Sequence, residues 1–93
     1  MDREFDEEDR ERIREIVRGF DDVRDMHDLR TRRSGINAFI QFHLELDGDM
    51  KLMDAHRIAD DVEDAIMQAF DGAEVIIHQD PAGYEDLHAL QKS

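Results

Sequence analysis

Val75-Ile76-Ile77-His78-Gln79-Asp80-Pro81 is the stretch on which the fold turns. Its apolar opening, with two β-branched isoleucines, reads as a short buried strand, and Pro81 ends it because proline has no N–H for a ladder. Strand residues at i and i+2 share a face, so His78 and Asp80 point the same way. An imidazole nitrogen beside a carboxylate that can bridge two ions suits a divalent metal such as zinc. Alone, such a pair is more often a hydrogen-bonded or solvated His-Asp couple than a metal site.

Working back, Asp71-Gly72 closes a helix predicted over about residues 51–70. Its stripe is Leu52, Ala55, Ala59, Val62, Ile66 and Ala69, with Asp60, Asp61, Glu63 and Asp64 outward. His56 adjoins that stripe. Asp47-Gly48-Asp49 before it is a loop, and an EF-hand is excluded because Ile58 stands where the bidentate glutamate belongs.

The run up to Asp47 alternates clearly, with Ile40, Phe42, Leu44 and Leu46 on a core face and Phe39, Gln41, His43 and Glu45 on a mixed one. Ser34-Gly35 is a turn signal, so Val23–Arg33 is predicted as the other arm of a hairpin. Its alternation is imperfect. Val23, Asp25, His27, Leu29 and Thr31 fall on one face, and Arg24, Met26, Asp28, Arg30 and Arg32 on the other. A first helix is expected over about residues 8–18, capped by Asp6 or Asp9, with Ile13, Ile16, Val17 and Phe20 at helical spacing and Gly19 as its stop. Residues 1–7 are expected to fray, and residues 82–93 to form a polar tail in which Tyr84 and Leu87 fold back.

The order α-β-β-α-β predicts an open-faced α+β sandwich in one domain spanning residues 1–93, with an ordered core at about 8–81 and both helices on one side of a mixed sheet. On the uncovered face the periodicity gathers His43, His78 and Asp80, with His27 on the neighbouring hairpin strand.

The formal net charge is −13 over 93 residues, which argues against nucleic acid as a ligand and favours bound cations or a partner. Arg24, Arg30, Arg32 and Arg33 form a local positive stripe. There is no cysteine, so any metal must be held by His, Asp, Glu or backbone oxygen. No apolar run approaches the roughly 18–20 residues that span a bilayer, and the charged start has no signal-peptide core. The expectation is a soluble, unexported, cytoplasmic chain.

Four separated segments in register carry a family likeness: His27-Asp28-Leu29-Arg30-Thr31-Arg32, Phe39-Ile40-Gln41-Phe42-His43-Leu44-Glu45, Ala55-His56-Arg57-Ile58-Ala59-Asp60 and Val75 to Pro81. Over about residues 8–81 the chain closely resembles the cytoplasmic C-terminal domain of the cation diffusion facilitators, membrane transporters that export divalent metals in exchange for protons. The resemblance implies a copper-metallochaperone-like, ferredoxin-like fold and a V-shaped homodimer with ions bound between the subunits. It implies His27, His43, His56, His78 and Asp80 as metal ligands, Asp80 bridging two ions. The implied cofactor is Zn2+, or Fe2+, Mn2+, Cd2+ or another divalent transition metal. Some relatives have a cysteine just after the His-Gln-Asp-Pro motif, where this chain has Ala82, so a thiolate ligand is missing. The membrane-embedded transport site is also absent from the sequence, which leaves an excised domain or a free-standing relative without transport activity of its own.

Three functional classes follow. The first is a regulatory metal-binding and dimerisation domain, with a membrane cation transporter as its further partner. The second is a free-standing interaction or metal-buffering protein. The third, a binuclear hydrolase, needs a pocket, an open coordination position and a general base, none of which the sequence supplies. The expectation is therefore not an enzyme.

Overall fold

A computed structural model of the chain describes residues 2–83; the expected tail contacts of Tyr84 and Leu87, and His88, lie outside the described residues. The elements are β1 (Asp2–Arg3), α1 (Glu7–Arg18), β2 (Val23–Ser34), β3 (Asn37–Leu46), α2 (Leu52–Ala69) and β4 (Glu74–Pro81). The predicted α-β-β-α-β order holds, preceded by one short strand.

β3 lies inside the sheet because its two-residue periodicity gives it one fully apolar side. Ile40, Phe42, Leu44 and Leu46 are buried, while Phe39, Gln41, His43 and Glu45 are half-buried on the other side. It pairs antiparallel with β2 through the turn at Gly35, whose φ of 62° is one that glycine adopts without steric cost. On its other edge it pairs parallel with β4, in unbroken register from Phe39↔Glu74 to Leu46↔Pro81. A parallel partner cannot be reached by a tight turn, so the chain returns through α2. After Pro81, the Ala82 N–H still donates to the Leu46 carbonyl at 2.7 Å.

The start of the chain is better ordered than expected. Asp2 and Arg3 pair with Ser34 and Arg33, extending the sheet to the order β1-β2-β3-β4, and Phe5 is buried in the core. Phe5 packs against Phe70 at 5.8 Å between ring centroids, with the Arg33 guanidinium 4.2 Å from its ring centre. A single aromatic within a charged stretch is enough to fix it, because its large apolar surface outweighs the local charge.

Ile13 and Val17 of α1, and Ile58, Ala59, Val62 and Ile66 of α2, bury their apolar stripes against the inner face of the sheet, α1 lying on β2 and α2 on β4. The predicted stripe on α2 is corrected at its first turn: Leu52 is 81% exposed, and Ile58 is buried in its place. Periodicity fixes which face of a helix is apolar but not how much of its length the sheet covers.

Phe42 is fully enclosed. Phe42→Ala is expected to cost about 3–5 kcal/mol through lost transfer energy and a cavity, a large share of the roughly 5–15 kcal/mol that holds a domain together. Urea unfolding should show the midpoint falling at constant slope.

Candidate metal centre

The unbroken β3–β4 register sets His43 beside His78 and Glu45 beside Asp80, and the β2–β3 register sets His27 opposite His43. Three imidazoles therefore form a row across three strands on the face that the helices leave open. The rings stack: His27 on His43 with centroids 4.9 Å apart and planes 13° from parallel, and His43 on His78 at 4.9 Å and 19°. This repeat follows the spacing of neighbouring strands.

The face that His27 occupies corrects the simple alternation of β2. His27 lies on the open face, whereas Thr31 and Met26 are buried against the helices. His27 and Thr31 are four residues apart, so a regular strand would put them on the same side. Irregularities between Val23 and Asp25 and between His27 and Arg30 break the period. The second is a bulge at Asp28, whose φ is 54°. Aspartate is one of the few residues that visits this left-handed region, and its carboxylate is held by the Arg30 guanidinium with two bonds of 3.3 Å.

Carboxylates surround the row. Asp80 Oδ2 is 2.8 Å from His43 Nδ1 and 3.7 Å from His27 Nε2. Glu45 Oε2 is 3.0 Å from His27 Nδ1, and Asp28 Oδ2 is 3.9 Å from His43 Nε2. An ionised carboxylate only accepts, so His43 Nδ1–H donates to Asp80 and His27 Nδ1–H to Glu45. The side chains of His27, Glu45 and Asp80 are about three-quarters or more buried, in surroundings where charge is poorly screened.

Of the five predicted ligands, His27, His43 and Asp80 each offer a donor atom, all within 4.8 Å of one another. Two ligands of a tetrahedral zinc ion stand about 3.4 Å apart, so separations of 2.8 and 3.7 Å on either side of Asp80 bracket what an ion needs. His78 flanks this group as the outer ring of the stack. His56 is elsewhere: it is exposed on α2, 3.2 Å from Asp60 one turn on, and the buried face of that helix covers the opposite side of the sheet. Glu45 and Asp28 were not among the predicted residues. Glu45 was legible, since β3 alternation puts it on the face of His43; Asp28 was not, because only the bulge brings it near. A shallow cleft beside the row is lined by Arg30, Arg32, Phe39, Gln41, Glu74 and Ile76, and none of the three stacked histidines lines it.

Residues 5–82 match the family described as the cytoplasmic domain of cation efflux proteins. The chain is 52% identical over 85 residues to the cation-efflux pump FieF of Shewanella oneidensis, covering 91% of this chain and 29% of that protein. It thus spans under a third of the length of such curated relatives. Among solved structures, the zinc form of CzrB superposes with a TM-score of 0.75 at 42% identity, over 89% of this chain and 96% of that one. The metal-bound C-terminal domain of the CzcD transporter from Thermotoga maritima gives 0.76 at 31% identity, over 82% and 90%.

Proposed function

Because the chain belongs to the family of cytoplasmic domains of cation efflux proteins, we propose that it is a divalent-metal-binding regulatory domain that pairs with a second copy of itself and acts alongside a membrane cation transporter. One observation carries this reading: three separate strands deliver His27, His43 and Asp80 to a common point on the uncovered sheet face. Support comes from CzrB and CzcD, similar chains whose structures hold zinc or a metal. His27, His43, His78 and Asp80 would hold the ion, a Zn2+-type cation with Fe2+, Mn2+ and Cd2+ as the other candidates. Its nitrogen-rich donor set suits zinc better than magnesium, which prefers oxygen.

Within one copy His56 faces away from the row, so it would serve an ion only from a partner subunit. An ion bridging two copies favours the subunit arrangement it fits, shifting that equilibrium by its difference in affinity for the two geometries. Calorimetric titration of the chain with zinc tests the reading. Saturation at a small whole number of ions per subunit, lost in His43→Ala, supports it; the absence of saturable binding overturns it.

The uncovered face also carries half-buried Phe39 and Ile76, the latter 47% exposed, beside Arg32, whose guanidinium sits 4.5 Å above the Phe39 ring. A homodimer at micromolar concentration is expected, since pairing removes this apolar surface from water. Sedimentation velocity should show two copies; monomer throughout, with and without zinc, contradicts it.

Glu45 would act on the ion through His27, fixing its ring and tautomer as carboxylates behind ligand histidines do. Glu45→Gln keeps an acceptor but loses the charge. Zinc affinity is expected to fall about tenfold, and the same titration measures it.

A further inference from the structure

From the geometry beneath the bulge in β2, and resting on the metal reading above, we infer that Arg10 is a positioning residue for the metal centre, acting from the opposite side of the sheet by locking the bulge that turns His27 outward. The Arg10 side chain is only 15% exposed. It reaches from α1 under β2, donating from Nη2 to the Leu29 carbonyl and from Nη1 to Thr31 Oγ1, both at 3.2 Å. Thr31 Oγ1 also accepts from the Phe5 N–H at 3.2 Å, and Glu4 and Glu7 hold the guanidinium at 2.9 and 3.5 Å.

These bonds fall on the residues that follow the irregularity. A bulge leaves its extra residue out of the ladder; Asp28 and Leu29 both lack a partner in the β2–β3 register, and Arg10 donates to the Leu29 carbonyl at that irregularity. The bond to Thr31 then fixes that residue inward. With Thr31 inward, regular alternation would turn His27 inward as well, since a slip of one residue exchanges the faces of a strand. The bulge alone allows Thr31 to face the helices while His27 stacks on His43. Arg10 therefore stabilises the irregular register against the regular one, touching neither the ion nor its ligands.

The test uses Arg10→Met, which keeps the aliphatic stem and removes the donors. In the metal-free protein, NMR should show loss of the ring-to-ring contact between His27 and His43. Zinc affinity by calorimetry should fall about tenfold when His27 is present. When His27 is already replaced by alanine, the same change should cost less than about twofold, because the residue it positions is gone. A merely structural role lowers affinity equally in both backgrounds and would overturn the inference, as would a persisting ring contact. If Arg10→Met does not fold, Thr31→Val removes one of the two anchors with nearly unchanged volume and is read by the same criteria. If the parent chain binds no zinc, the metal reading fails on that result, and the ring contact alone decides the role of Arg10.

Discussion

Zinc at about a hundred times its dissociation constant is expected to raise the melting temperature by about ten degrees or more. A ligand that binds only the folded form adds about 2.7 kcal/mol of stability at that ratio, and each kcal/mol shifts a domain of about this size by roughly 4–8 °C. The pH dependence has a definite sign. Coordinating imidazoles must be neutral, so protons compete with the metal, and the gain shrinks as pH is lowered. Non-specific charge neutralisation is the rival explanation, because a net charge of −13 attracts any divalent cation. Magnesium neutralises charge equally well but favours oxygen ligands. Scanning calorimetry with each ion should therefore show the large shift with zinc alone, and an equal shift with magnesium reduces the centre to electrostatics.

Asp80→Ala is expected to abolish most of this binding, lowering zinc affinity by at least about a hundredfold, the upper end of what outer-sphere partners alone contribute. Asp80 is the one group close to both neighbours in the donor set, 2.8 Å from His43 and 3.7 Å from His27. Without it, stacked imidazoles remain with no anion between them, and an ion loses both an oxygen ligand and local charge compensation. His78→Ala should cost less, since that ring stands at the outer edge of the proposed donor set. His88→Ala should change little, because His88 lies beyond every segment that carries the family likeness. Titration calorimetry on the three variants orders them, and equal losses would show that the donor set has been misassigned.

The two strands with regular periods were the most legible part of the chain. Phe39 to Leu46 and Val75 to Pro81 contain no irregularity, so counting by twos placed His43, His78 and Asp80 on one face; the parallel register that sets His43 beside His78 came from the fold. β2 was less legible. Its imperfect alternation was visible, but the sequence does not say where a strand gains an extra residue, because that choice depends on partners distant in the chain. Arg10 and Leu29 are 19 positions apart, and Phe5 and Thr31 are 26 apart.

By itself, the sequence determined the order of the five main elements, the apolar sides of α1, α2 and β3, and the gathering of His43, His78 and Asp80 on a sheet face that no helix covers. These follow from local periods of 2 and 3.6 residues and from turn chemistry, which act over a few neighbouring positions. Only the tertiary structure decided that His27 faces outward, that Glu45 and Asp28 join the centre, that Asp2–Arg3 extend the sheet, and that His56 lies on the helix side. The physical reason is that register, bulges and the covered length of a helix minimise free energy over contacts between distant segments. Buried groups must be paired across the whole fold, and local pattern does not encode which distant group will supply the bond.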